Sequence, residues 1–148
     1  MKTALTRSAG FLPALLILGA STATTLAAAE AAAKSMAAVP DVILPFPGGI
    51  VRSGSKVGSK YKQVIASTNH LFCPTLRGAV DTALDPDVGS VLEIVIDGLT
   101  DQAVAAAMRA GMAAILRLGP RRGAVRISAG NYGGKLGRHH FRLKDHLP

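Results

Sequence analysis

Two short apolar runs, Leu15–Leu18 (LLIL) and Val91–Ile96 (VLEIVI), each give way within a few residues to an alanine-rich stretch of helical period. After the first run, Gly19 to Thr22 reads as a turn and Thr24 to Ala38 as a helix. On one face of that helix lie Leu26, Ala29, Ala33, Met36 and Ala37, with Glu30 and Lys34 as a favourable i,i+4 pair and Pro40 ending the run. After the second run, Asp97-Gly98 marks the strand end and Thr100 caps a helix whose first turn carries Asp101. Val104, Ala107, Met108, Gly111 and Ile115 form its core-facing stripe, in which Ala107 and Gly111 allow close approach to a sheet. Gly119-Pro120 stops this helix, and Ala124 to Ser128 resumes as a strand. Two strand–helix–strand units with extra strand material between them predict an α+β sandwich of the ferredoxin-like kind, a mainly antiparallel sheet with helices on one face. The chain has 148 residues, room for one core of ordinary size, and only four Phe, two Tyr and no Trp, so its helices should pack closely through small side chains.

The start of the chain admits a second reading. Lys2 and Arg7 precede the apolar stretch Phe11 to Ala20, and Ala27-Ala28-Ala29 resembles a small-residue cleavage site, as in a secretory signal. Cleavage after Ala29 would cut the expected helix in two, which favours strand plus helix. A membrane span is excluded, because the apolar run is far shorter than the roughly 20 residues needed to cross a bilayer and Pro13 interrupts it.

The single cysteine, Cys73, rules out an intramolecular disulfide framework and a cysteine-cage zinc site, and nothing nearby supplies it with a base; it is expected to pack as a small hydrophobe. Seventeen Lys plus Arg against nine Asp plus Glu leave a net charge of +8, which attracts polyanions. The basic residues cluster at Arg52 to Lys62, Arg117 to Arg126 and Lys135 to Lys144, with few aromatics and no recognisable nucleic-acid module, so nucleic acid is the minor reading, while charge alone does not choose between acidic lipids and carboxylate-rich ligands.

In mid-chain, Val42-Ile43-Leu44 reads as a short strand entering Pro45-Phe46-Pro47-Gly48-Gly49, a rigid bend. Arg52 to Lys62 (RSGSKVGSKYK) then combines small, hydroxyl-bearing and basic residues suited to holding an anion, although it is not a Walker A loop; a solvated flexible loop is the alternative. Lys62 to Ser67 is a plausible strand, Pro74 to Arg77 begins a turn, and Asp81 to Ser90 is a surface excursion. Ala129 to Gly137 (AGNYGGKLG) is a glycine-rich loop, either a binding loop or a tight turn whose glycines merely allow positive φ, and His139-His140 beyond it is a weak metal or acid/base signal best placed on the surface.

Four strings carry more specific information: LPFPGGIVRSGSKVGSKYK (Leu44 to Lys62), ASTNHLFCPTLRG (Ala66 to Gly78), EIVIDGLTDQAVAAAMRAG (Glu93 to Gly111) and VRISAGNYGGKLG (Val125 to Gly137). In order and spacing they resemble the C-terminal half of formylmethanofuran:tetrahydromethanopterin N-formyltransferases. The likeness runs from about Leu15 to the end, which divides the chain into a poorly matched extension, residues 1–14, and a C-terminal lobe, residues 15–148.

The resemblance implies formyl transfer between formylmethanofuran, or a methylofuran-type carrier, and tetrahydromethanopterin, with no bound cofactor or metal, in a cytoplasmic oligomer. It also implies a missing N-terminal lobe, and possible partners among formylmethanofuran dehydrogenase-like subunits of a transferase–hydrolase complex. A non-catalytic subunit or truncated remnant is the alternative within this family, and a secreted basic binding protein the alternative outside it. Formyl transfer needs an acid/base group, and Glu93 is the candidate because an apolar strand would desolvate its carboxyl; an outward-facing residue paired with an Arg is the competing reading. Arg52, Ser53, Ser55, Lys56 and Lys60 suit the acidic tails of the carriers, and Asn131, Tyr132, Gly133, Gly134 and Lys135 an oxyanion or a pterin edge.

Overall fold

The computed structural model describes residues 13–57, 59–64, 66–119 and 126–130. In chain order the elements are β1 (Ala14–Gly19), α1 (Thr22–Ala37), β2 (Val42–Ile43), a 3-10 turn (Pro47–Gly49), β3 (Val51–Arg52), β4 (Ser55–Val57) and β5 (Ala66–Thr68). Two further 3-10 turns (His70–Phe72 and Pro74–Leu76) lead to β6 (Ser90–Val95), β7 (Asp97–Gly98), α2 (Asp101–Leu118) and β8 (Arg126–Gly130).

The main sheet has the order β3-β6-β1-β8, and every neighbouring pair is antiparallel. Counting only these four strands, the first lies between the third and fourth and the second takes an edge, the arrangement of the split βαβ sandwich expected from the two strand–helix units. Two small antiparallel ribbons, β2-β7 and β4-β5, stand apart from it.

Alternation along the strands sorts the apolar residues into two layers. Leu15, Ile17, Leu92, Ile94 and Ile96 join Ala28, Ala29, Ala32, Ala33 and Met36 of α1 and Val104, Ala107, Met108, Met112 and Ile115 of α2 in the larger core. On the opposite face, Leu16, Leu18 and Val91 are covered by Leu84 and Val88 from the excursion before β6, with Phe72 packed alongside. Sheet strands buried on both faces explain why the runs read as continuously apolar rather than alternating.

Both helices begin at side-chain caps. The backbone N–H of Ala103 donates to Thr100 Oγ1 at 3.1 Å, as expected, and Ser21 accepts from the N–H of Thr24 at 3.3 Å in a capping box, which starts α1 two residues earlier than the sequence suggests. The buried stripe of α1 is Thr25, Ala28, Ala29, Ala32, Ala33 and Met36, so two expected core positions move out: Leu26 is 40% exposed and Ala37 is exposed. Thr25 can take the inward place because its hydroxyl donates to the Ser21 carbonyl at 2.6 Å, so its burial leaves no polar group unpaired. The α2 stripe is buried throughout as predicted, but Gly111 serves helix–helix rather than helix–sheet approach. A Cβ there would lie 2.1 Å from Met36 Cε of α1.

Other corrections concern short elements. Asp97-Gly98 does not simply end β6; it pairs with Val42-Ile43 as a second ribbon. The strand placed at 62–67 is confined to β5, and Arg52 to Lys62, read as one loop, contributes β3 and β4. The PFPGG bend is present, with Gly48 at φ 68° and Gly49 at φ 77°.

Candidate functional site

Glu93 sits in the middle of β6, directly opposite Leu16 of β1 and Val51 of β3, and Leu16 is in turn opposite Ser128 of β8. Because residues paired across antiparallel strands share a face, Glu93 projects from the side away from the helices, the side carrying Leu16 and Val91. It is 2% exposed, and its Oε1 has no hydrogen-bond partner among the described residues. Burial penalises the charged form and pushes its pKa up from 4.5 to about 7. The outward, Arg-paired reading is therefore wrong for this residue. A buried carboxyl oxygen without a partner among the described residues is costly, and such groups are characteristic of functional positions.

Ser53 is the second buried polar side chain whose oxygen lacks a partner among the described residues; it is 6% exposed and lies two residues beyond Val51. Arg52, by contrast, is exposed on the edge strand opposite Leu92. Ser55 pairs with Thr68 in the β4-β5 ribbon.

That ribbon brings Lys56 to His70, with 3.2 Å between Nζ and Nδ1, and a groove of about 920 Å³ opens beside them. Lys60 and Tyr61 border the groove, with Lys60 Nζ 5.1 Å from the tyrosine ring centre, and Asp81 also lines it. Lys56 and Lys60, singled out as anion holders, are thus brought together, while His70 and Asp81 are additions that sequence reasoning missed. Their separation of 14 residues or more from Lys56 left no local signal. From Val51, opposite Glu93, to Lys56 the chain advances five residues, a reach of at most roughly 18 Å.

The remaining expected binding residues, Asn131, Tyr132, Gly133, Gly134 and Lys135, lie outside the described residues, as does His139-His140. The strand that leads to them, β8, ends at Gly130 opposite Ala14. Among the described residues no three His, Cys, Asp or Glu side chains gather as a metal site requires. Cys73 is half-buried rather than buried, with Sγ 3.2 Å from Thr75 Oγ1. No helix among the described residues is long and apolar enough to cross a membrane.

A sequence model of the family described as "FTR, proximal lobe" matches residues 8–146. The chain belongs to the formylmethanofuran:tetrahydromethanopterin formyltransferase family. It is 62% identical over 130 residues to the formylmethanofuran–tetrahydromethanopterin formyltransferase of Methylobacillus flagellatus, covering 88% of this chain and 43% of that protein. The formyltransferase of Methanocaldococcus jannaschii is 50% identical over 133 residues, again with 43% of its length covered. Among solved structures, the formyltransferase/hydrolase complex of Methylorubrum extorquens with methylofuran superposes with a TM-score of 0.85 at 55% identity, over 94% of this chain and 45% of that one. The formyltransferase of Methanosarcina barkeri gives 0.82 at 46% identity, over 90% and 45%. The chain therefore spans less than half the length of these formyltransferases.

Proposed function

We propose that this chain is one lobe, residues 15–148, of an N-formyltransferase that moves a formyl group between formylmethanofuran, or a methylofuran-type carrier, and tetrahydromethanopterin, with Glu93 as acid/base. The single observation that carries the reading is the buried carboxyl of Glu93, whose Oε1 has no partner among the described residues and whose pKa of about 7 lets it both give and take a proton near neutral pH. In the reaction an amine nitrogen of the acceptor carrier attacks the formyl carbon, a new C–N bond forms, and the carbonyl becomes a tetrahedral oxyanion. Protonated Glu93 gives its proton to the departing carrier nitrogen as the old C–N bond breaks. The resulting carboxylate takes the proton released by the attacking nitrogen, and the enzyme returns to its starting state.

Ser53, whose buried hydroxyl has no partner among the described residues, would donate to a reacting oxygen. Lys56 and Lys60, with Arg52 and Ser55 nearby in the chain, suit the acidic arms of the carriers. Asn131, Tyr132, Gly133, Gly134 and Lys135 follow β8 and would supply oxyanion or pterin contacts. The second lobe of the relatives, a homo-oligomeric assembly, or transferase–hydrolase subunits of the formylmethanofuran dehydrogenase kind would complete the cleft, in the cytoplasm.

The test is transfer from a formylated furan carrier to tetrahydromethanopterin by the full chain, with and without the remaining lobe of a relative supplied in trans, beside Glu93→Gln. Loss of at least about a hundredfold in the variant is expected. Undiminished transfer by Glu93→Gln overturns the assignment, and carrier binding without transfer in any combination points to a non-catalytic carrier-binding or assembly subunit.

A further inference from the structure

The sheet face that carries Glu93 is covered at Leu16, directly opposite it, and at Val91, two residues along β6, by Leu84 and Val88, both buried, from segment 81–89. The segment contains no helix or strand to hold it. Its tethers are specific. Ala83 N–H donates to the Leu71 carbonyl at 2.9 Å at one end, and Gly89 N–H to the Gly19 carbonyl at 2.9 Å at the other. Between them the Arg77 guanidinium donates to three backbone carbonyls: from Nη2 to Asp85 at 2.9 Å and to Val88 at 2.7 Å, and from Nη1 to Pro86 at 3.3 Å. Arg126 adds ion pairs to Asp85 and Asp87; these side chains, like Arg77 itself, are exposed.

We infer that Arg77 is a positioning residue for Glu93: its planar fork gathers the carbonyls of Asp85, Pro86 and Val88, and so keeps segment 81–89 seated as a strap that excludes water from the Glu93 face. A guanidinium suits this task because its five donors are fixed in one plane and remain charged throughout the accessible pH range. The residues opposite Glu93 in its own row, Leu16 and Val51 with Ser128 beyond, carry no charge. Among the described residues, the ionisable groups of the covering segment and its neighbours are His70, Cys73, Arg77, Asp81, Asp85, Asp87 and Arg126, of which Asp85 and Asp87 are engaged by Arg126. With no partner shown for Oε1, dryness rather than a partner charge governs the Glu93 proton, and Arg77 controls the dryness. The catalytic consequence rests on the acid/base reading of Glu93; the positioning itself does not.

The experiment is a carboxyl ¹³C NMR titration of the full chain labelled at glutamate, with the Glu93 signal identified by its loss in Glu93→Gln, in wild type, Arg77→Ala and Arg77→Lys. Amide hydrogen exchange at Val88 and Gly89 is followed in the same samples. In wild type the Glu93 midpoint should lie near 7. In Arg77→Ala it should fall toward 4.5 while exchange at Val88 and Gly89 quickens by roughly tenfold or more. Arg77→Lys, whose single ammonium cannot reproduce the fork, should fall between the two. A midpoint unchanged in Arg77→Ala overturns the inference even if the melting temperature drops, since a merely structural arginine would lower stability alone. If Arg77→Ala does not fold, Arg77→Lys decides by the same criterion. A shifted midpoint together with full activity of Glu93→Gln would sink the catalytic reading and leave the strap standing.

Discussion

Glu93 shows how one residue can be conspicuous in sequence and still be ambiguous. A carboxylate inside VLEIVI must be either an edge group turned to solvent or a buried acid, and both fit the same letters. The sheet excludes the edge by placing β6 between β1 and β3, and the covering of the face from which Glu93 projects leaves it a buried acid. The raised pKa has a consequence for stability. The folded value, about 7, lies above the ordinary 4.5, so the native state holds the proton more tightly than the unfolded chain does. The contribution is fully present below about 4.5 and is lost as pH rises through about 7, a swing of up to about 3 kcal/mol. Urea unfolding at pH 5 and pH 8 should therefore find Glu93→Gln gaining on wild type as pH rises, and equal pH dependence in the two proteins would contradict the buried-acid picture.

At the scale of elements, the strap before β6 and the β4-β5 ribbon are the parts that sequence periodicity described least. Gly89 joins the strap to the sheet with almost no clearance: a Cβ there would stand 2.3 Å from the Ala20 carbonyl oxygen, a backbone atom that cannot swing aside. Gly89→Ala should cost about 1–3 kcal/mol through forced backbone movement, read as a lower urea midpoint at unchanged slope. A neutral result would mean that the strap end is looser than its contacts imply. For the ribbon, Lys56→Ala with Lys60→Ala removes two cations from one groove. At about 0.5–1 kcal/mol for each partly exposed pair, binding of a carboxylate-bearing furan carrier should weaken roughly five- to thirtyfold by calorimetry. Affinity equal to wild type would return the groove to ordinary solvated surface.

Over the whole molecule, a charge of +8 on 148 residues creates a field that favours anionic ligands at long range. Raising NaCl from about 50 to about 300 mM should slow association with the carriers more than it speeds dissociation, because screening shortens the reach of that field. Stopped-flow mixing separates the two rates, and salt-independent association would assign recognition to short-range contacts alone.

Much of the architecture was legible in the amino-acid order, because strand runs, helix stripes and caps are local. LLIL and VLEIVI became the bulk of β1 and β6, Thr100 capped α2, the stripe from Val104 to Ile115 was buried as its spacing required, and the two strand–helix units implied the α+β sandwich. Small errors arose where a neighbour overrode the pattern: Thr25 displaced Leu26 because the Ser21 carbonyl satisfies its hydroxyl, and Gly111 met Met36 rather than the sheet. What tertiary structure alone decided are the meetings of residues far apart in the chain. These include the face from which Glu93 projects, the pairing of Lys56 with His70, the two-residue ribbon of Val42-Ile43 with Asp97-Gly98, and the hold of Arg77 on the strap. Periodicity specifies which residues turn the same way within one element; which elements then face each other depends on register and on long-range hydrogen bonds, which no local pattern encodes.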